Sequence, residues 1–374
     1  YNGTNIGHSI DYDTYANLTD LWTSRDDKAT QIDWDALYAA NYANNQNNPD
    51  GSARYIIERR HNDIQEAVAN VNYRNTKVDH LTATVGLELK AAQGIHYKSV
   101  DDLLGANQWV DVDPFAERDI KELATNIGLT QADIINVKQN NLQNPNAAAK
   151  KGDKFGYDYR INALSLMAFC NAKWEYDEGG IEGRLSVGSK GIQRRGYYEK
   201  ELFPGAGSLG RSTQYWSSPY LFTAAWQHNF NNHNIALSGA IEGRTPQSSA
   251  TFLQEEYNNR LVNNLTLGTN LAFDFSYNYA LSNRLIIKCS LFASAHLNGF
   301  DVIHFYSDIA QTFSDGVVRN IDIIRCGVET SADVTWSRLL SSSFYASYCA
   351  SRYANNAIVE TYADTDNRLI STSE

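Results

Sequence analysis

From Leu267 the chain reads Leu267-Gly268-Thr269-Asn270-Leu271-Ala272-Phe273-Asp274-Phe275-Ser276-Tyr277-Asn278-Tyr279. One parity holds Leu267, Thr269, Leu271, Phe273, Phe275, Tyr277 and Tyr279; the other holds Gly268, Asn270, Ala272, Asp274, Ser276 and Asn278. Successive side chains of a strand point to opposite faces, so this segment is a strand with one oily and one wet face. A turn at Ser282-Asn283 follows. The pattern then resumes with Leu285, Ile287, Cys289, Leu291, Ala293 and Ala295 against Arg284, Lys288, Ser290, Ser294 and His296. Charge stays on one side.

The same alternation recurs in both directions along the chain. Leu81, Ala83, Val85, Leu87 and Leu89 form one stripe, and Leu164, Leu166, Ala168, Cys170, Ala172 and Trp174 another. Tyr220, Phe222, Ala224 and Trp226 form a third, and Ile324, Cys326, Val328, Ala332, Val334 and Trp336 a fourth. Strands of soluble sandwiches average roughly 5–6 residues. Here alternation holds for about 10 or more, the length a tilted strand needs to cross a bilayer. Trp174, Tyr176, Trp226, Phe230, Tyr277, Tyr279 and Trp336 stand at strand ends, as in an interfacial girdle.

Short turns at Asn75-Thr76-Lys77, Asp177-Glu178-Gly179-Gly180, Asn231-Asn232-His233-Asn234, Ser282-Asn283 and Ser337 to Leu340 define five hairpins and ten strands. Long segments near 91–155, 191–218, 245–265 and 298–317 link the hairpins. Short turns on one side and long loops on the other is the plan of an outer-membrane barrel. The fold class expected is therefore all-β: an antiparallel transmembrane β-barrel, partial, with about ten strands and long extracellular loops containing short helices. Residues 1–52 read as an extracellular loop region, and 53–374 as barrel strands and loops.

Bulk properties agree. The 374 residues carry a net charge of −11, which excludes a nucleic-acid binder, because neutralising phosphates requires a basic surface. No apolar run approaches the ~18 residues of a membrane helix. Tyrosine dominates the aromatic residues, 23 against 14 Phe and 7 Trp, as suits surfaces both apolar and wet. Cys170, Cys289, Cys326 and Cys349 show no C-x-x-C pair, so neither a disulfide framework nor a zinc site is expected. Each sits inside an alternating stretch as a small apolar side chain.

The loops offer weaker signals. A helical patch is expected near Asp35–Ala43, one helix from Asp113-Pro114 to Gly128, and a second from Thr130 to about Asn141. Gly205-Ala206-Gly207-Ser208-Leu209-Gly210 spells a dinucleotide fingerprint but lacks the strand before it and the helix after it, and reads as a mobile loop. The acidic pairs Asp101-Asp102 and Glu255-Glu256, and Asp364 with Asp366, lack calcium-loop spacing and read as solvated charge. His228 and His233 flank a turn without a third ligand. No nucleophile elbow, Walker loop or metalloprotease helix occurs, so no catalytic residue, metal or cofactor is assigned. The wet-face charges Arg284, Lys288, Arg325, Glu329 and Asp333 read as cross-strand or plug salt bridges, with a solute path as the alternative.

Several stretches resemble TonB-dependent outer-membrane receptors of the class with a carboxypeptidase-regulatory-like N-terminal domain. They are Asn48-Pro49-Asp50-Gly51-Ser52-Ala53-Arg54-Tyr55-Ile56-Ile57-Glu58, Asn70-Val71-Asn72-Tyr73-Arg74-Asn75-Thr76-Lys77, Gly94-Ile95-His96-Tyr97-Lys98-Ser99-Val100-Asp101-Asp102-Leu103-Leu104-Gly105 and Gly152-Asp153-Lys154-Phe155-Gly156-Tyr157-Asp158-Tyr159. The likeness is dense over roughly 48–160 and looser beyond. It implies a twenty-two-stranded barrel occluded by an N-terminal plug and energised through the inner-membrane TonB complex. No plug or TonB-contacting segment is recognisable in this chain, so both are expected elsewhere in the intact protein. Ten strands are under half such a barrel, and Tyr1 and Glu374 each read as lying in a loop. The chain is thus expected to be an internal segment of a longer polypeptide.

The function expected is nutrient import across the outer membrane, without covalent chemistry. Partners would be outer-membrane lipid, the TonB complex through that plug, and a substrate-capturing surface lipoprotein. Ligand capture would fall to loop aromatics: Trp109, Tyr197, Tyr198, Tyr215 and Trp216. The alternatives are a small standalone porin or adhesin barrel and a secreted all-β binding module.

Overall fold

The computed structural model describes residues 12–47, 50–113, 139–307, 312–363 and 367–373. Twelve strands carry the architecture. They are β1 (Ile57–Val78), β2 (Leu81–Asp102), β3 (Lys154–Tyr176), β4 (Gly179–Gly196), β5 (Tyr220–Phe230), β6 (His233–Arg244), β7 (Gly268–Ser282), β8 (Leu285–Ser307), β9 (Thr312–Thr335), β10 (Ser341–Tyr353), β11 (Ile358–Ala363) and β12 (Leu369–Ser373). With two short strands, Gly210–Arg211 and Tyr215–Ser217, they form one 14-stranded sheet in sequence order from β1 to β9. β10 pairs with the lower part of β9 and β11 with its upper part, so these two are one rail broken after Tyr353. β12 pairs with β11. Among the described residues the order is open, with no pairing between β1 and β10.

Register fixes the two faces. Phe273 stands opposite Gly239 on one side and Ala293 on the other, and Phe275 opposite Leu237 and Leu291. Residues directly opposite share a face, so the separate stripes merge into one apolar belt across β3 to β9. Its large side chains are left uncovered: Leu166 is 52% exposed, Phe273 48% and Leu291 48%. In water so broad an apolar surface would drive association; against hydrocarbon it is the favourable arrangement. No helix among the described residues is long and apolar enough to cross a membrane.

At the turn end of the belt the rings form a continuous run. Tyr176 packs on Trp174 with centroids 5.5 Å apart, Trp226 Nε1 donates to the Tyr176 hydroxyl at 2.9 Å, and His233 stacks on Phe230 at 4.8 Å and Tyr279 at 4.4 Å. The girdle expected from the sequence is thus present. On the wet face Lys288 Nζ lies 3.1 Å from Asp333 Oδ2, the cross-strand salt bridge.

Five hairpins stand where alternation placed them, with corrections. Asn75-Thr76-Lys77 lies inside β1, and the chain turns instead at Asp79-His80, where His80 takes a φ of 64°. The segments 91–155, 191–218 and 298–317 are not loop throughout: β2 continues to Asp102, β4 to Gly196, β8 to Ser307, and β9 begins at Thr312. Beyond the bilayer both faces meet water or protein, so backbone pairing continues after the one-sided pattern stops. Asn298 and Asn320, at φ 55° and 58°, accompany register shifts there that further scramble the parity. Leu369–Ser373, near the end read as a loop, is strand β12. The helices expected over 115–128 and 130–141 fall almost wholly outside the described residues.

The chain clusters into two compact units, residues 1–59, 99–111 and 146–154 in one, and 60–98, 112–145 and 155–374 in the other. The first holds α1 (Tyr12–Thr23), α2 (Asp27–Thr30) and α3 (Trp34–Asn47), the last containing the helical patch expected at 35–43. Asp33 Oδ1 accepts from the Ala36 amide at 2.9 Å, an N-cap that starts α3. Asn41, fully buried, donates to the carbonyls of Tyr55, Leu103 and Leu104 and accepts from the amides of Arg54 and Tyr55. One amide side chain thereby satisfies five backbone groups that would otherwise be stranded.

Candidate functional site: a loop-capped inner face

The second unit keeps its densest packing on the face opposite the apolar belt. Ile161 and Arg194 are directly paired, as are Ala163 and Ile192, and all four lie on the wet parity of β3 and β4. Tyr157, Tyr159, Ile161 and Ile192 close around Phe252, which comes from the 245–265 segment. A neighbouring cluster joins Leu253 and Val262 of that segment to Val317 of β9 and Tyr362 of β11. The 245–265 loop therefore folds back onto the sheet's inner surface.

Arg194 ties the arrangement together. Only 2% exposed, it donates from Nε to the Glu255 carbonyl at 2.6 Å, and from Nη1 to the Ser208 carbonyl at 2.9 Å and Asn259 Oδ1 at 2.6 Å. Its guanidinium also sits 5.1 Å from the Tyr159 ring centre. Burial lowers its pKa to about 10, which leaves it charged at neutral pH. A buried charge is tolerable only when its donors are satisfied, and here two loops supply the acceptors. Asn259 Nδ2 in turn donates to the Ala206 carbonyl at 3.0 Å, joining one loop to the other. The Gly205–Gly210 stretch, read as a mobile loop, is thus a loop held at both ends: Gly210-Arg211 also pairs with the top of β4.

Lys200 forms a second tie. Its Nζ donates to Asn140 Oδ1 at 2.9 Å and to the Gly156 carbonyl, and lies 4.8 Å from the Tyr257 ring centre. Arg260 Nη1 reaches the Asn367 carbonyl at 2.6 Å, fastening the loop to the β11–β12 turn. Above the membrane-spanning part of β8 and β9, His304 Nδ1 lies 2.6 Å from Asp315 Oδ1. That hydrogen bond raises the His304 pKa. Burial likewise raises the carboxyl of nearby Glu255, to about 6.

No protein-family model matches the chain, and no curated protein matches it. Solved structures do. The copper transporter OprC superposes with a TM-score of 0.52 at 9% identity, covering 86% of this chain and 42% of its own. The fold shared with it is the wall of an antiparallel transmembrane β-barrel. The ferric yersiniabactin uptake receptor FyuA from Yersinia pestis is also similar, with a TM-score of 0.43 at 10% identity, covering 85% of this chain and 46% of its own. The chain spans under half the length of each of these two proteins.

Within this fold the five aromatics from the sequence do not form one cluster. Tyr215 pairs with Ile192 and shares the inner face, whereas Trp216 pairs with Gly191 and shares the apolar-belt face. Tyr197 lies between two arginines of that outer face, 5.2 Å from Arg160 and 5.1 Å from Arg195. Tyr198 is half-buried in the loop after β4. Trp109 belongs to the other unit, where Trp109-Val110 pairs with Ala148-Ala149. Arg194, Lys200 and Asn259 went unread in the sequence. The signal available was the continued alternation of Ile192 and Arg194 past the point where the stripe loses its apolar residues.

Proposed function

We propose that this chain forms part of the pore wall and extracellular loops of an active importer of the outer membrane, energised through TonB by a plug encoded elsewhere in the protein. The observation that carries this reading is the inner face packed with its own loops: Phe252, Arg194 and Lys200 hold loop segments over the wet side of the sheet. A passive pore needs an open lumen, whereas an importer needs a closed, shaped one. The fold likeness to a copper transporter supports transport as the general role, without carrying its cargo to this chain. Residues 1–52 belong, in this reading, to the extracellular side, and Tyr215 is the loop aromatic best placed to meet a solute. A surface lipoprotein that hands over the substrate is a further partner of this reading. The open edges of the sheet need strands from the rest of the protein, because unpaired backbone groups in hydrocarbon cost several kcal/mol each.

The test is electrical. Full-length protein in a planar bilayer should show no steady conductance, and cells should accumulate its substrate only while TonB and the proton gradient are intact. Steady ohmic conductance would instead promote the standalone porin.

A further inference from the structure

The outer face carries a feature that transport does not explain. Along β3 and β4 it changes character in three steps toward the loops. The last apolar row is Leu164, Gly191 and Trp216; the next pairs Asn162 with Gln193; the next aligns Arg160, Arg195 and Arg211. Gln93 extends the amide row, donating to Asn162 at 2.8 Å.

Like charges directly opposite on adjoining strands repel. Asp158 offsets Arg160 at 2.6 Å, but Arg195 and Arg211 are exposed and have no carboxylate in reach among the described residues. Three guanidiniums side by side against one carboxylate call for an external anion.

Their height says which. Strands rise ~3.3 Å per residue and tilt ~45° in membrane barrels, so Arg160 stands roughly 10 Å above Leu164. That is headgroup level, just outside the hydrocarbon, with Trp216 marking the interface below it. The row continues the lipid-facing belt and lies on the opposite side of the sheet from the loop-packed interior. We propose that Arg195 and Arg211, with Arg160 beside them, bind the phosphate of a phosphorylated glycolipid in the outer leaflet. Guanidinium groups pair with phosphate through two parallel hydrogen bonds, which gives both strength and orientation. Tyr197 lies against both Arg160 and Arg195, and the Arg160 fork is held in place by Asp158 and the Tyr159 carbonyl.

The experiment titrates full-length protein in neutral detergent with phosphorylated lipid A and with the same lipid stripped of phosphate, counting bound lipid by native mass spectrometry. The phosphorylated form should bind about tenfold more tightly. Arg195→Gln together with Arg211→Gln should abolish that preference, while Arg325→Gln on the wet face should leave it. Equal binding of the two lipids overturns the proposal, as does a preference that survives the double variant. Displacement of the lipid by millimolar inorganic phosphate would mark a free-anion site and also overturn it. Should the double variant lose its heat-modifiable gel mobility, the two lipids compared on unaltered protein still decide.

Discussion

Arg194 Nη1 lies 2.6 Å from Asn259 Oδ1, a contact that joins the top of a strand to a loop 65 residues further along the chain. Replacing Arg194 with Met strands three acceptors, two of them backbone carbonyls, in a buried setting. Hydrogen bonds to charged groups contribute about 1.5–3 kcal/mol, and a stranded buried acceptor costs about 1–3 kcal/mol. The expected result is loosening of both loops, seen as faster protease cleavage within 245–265, while the membrane-embedded hairpins stay protected. Unchanged cleavage would show that Arg194 is not the tie described.

The same loop should respond to acidity. Glu255 has a raised carboxyl pKa, about 6, caused chiefly by burial, so its protonated form suits the docked loop. The docking stability it supplies is present below its unfolded value, near 4.5, and is lost as pH rises through about 6. His304 is raised too, by its hydrogen bond to Asp315, so its contribution is present below about 6.5 and is lost as pH rises through that elevated value. Protease protection of 245–265 should fall from about pH 5 to pH 8. Glu255→Gln should flatten the lower limb and His304→Gln the upper. A protection profile that is level, or that rises with pH, contradicts this assignment.

The face assignment makes a quantitative claim about lipid. Arginine at Phe273 or Val328, in the middle of the belt, should destabilise the barrel by roughly 2–4 kcal/mol. At Ser276 or Ser331, on the opposite face, the cost should be smaller. Folding into detergent micelles, followed by heat-modifiable gel mobility, reads both sets. Equal losses would mean the faces are misassigned.

The cysteines should stay unpaired. Cys289 stands opposite Thr330, and Cys326 opposite Ala293, so two same-face steps separate them along β9. At ~3.3 Å per residue that is roughly 13 Å, well beyond the ~7 Å limit for Cα atoms in a disulfide. Cys349, opposite Gly327, lies on the other face. Mass spectrometry of unreduced protein should find four free thiols; any bridged peptide pair would refute the register.

What could be read from the sequence was what lipid dictates. Along Leu267–Tyr279 one parity is free of charge and, Thr269 apart, apolar or aromatic, and that constraint marks out the strands, the faces and the girdle. It lapses above the membrane, where β8 and β9 run on past His296 and Ile323 with bulges at Asn298 and Asn320. Those upper rails were read as loop. Arg194 was illegible for another reason: its partners Ser208, Glu255 and Asn259 arrive from two separate loops, and no local pattern announces them. Among the aromatics, composition could nominate Tyr215 and Trp216, but only pairing with Ile192 and Gly191 separates their faces.

The sequential order of the sheet has a kinetic corollary. From β3 to β9 each strand pairs with its immediate neighbours in the chain, so the wall can grow one hairpin at a time with short loop closures. The ties are another matter: Arg194 waits for Glu255, 61 residues later, and Arg260 for Asn367, 107 residues later. Insertion and closure are therefore separable stages, with the wall standing before its interior is sealed. A cell that checks newly made barrels would find, in that interval, a seated protein whose Phe252 has yet to reach Ile192 and whose Arg194 still lacks its loop acceptors.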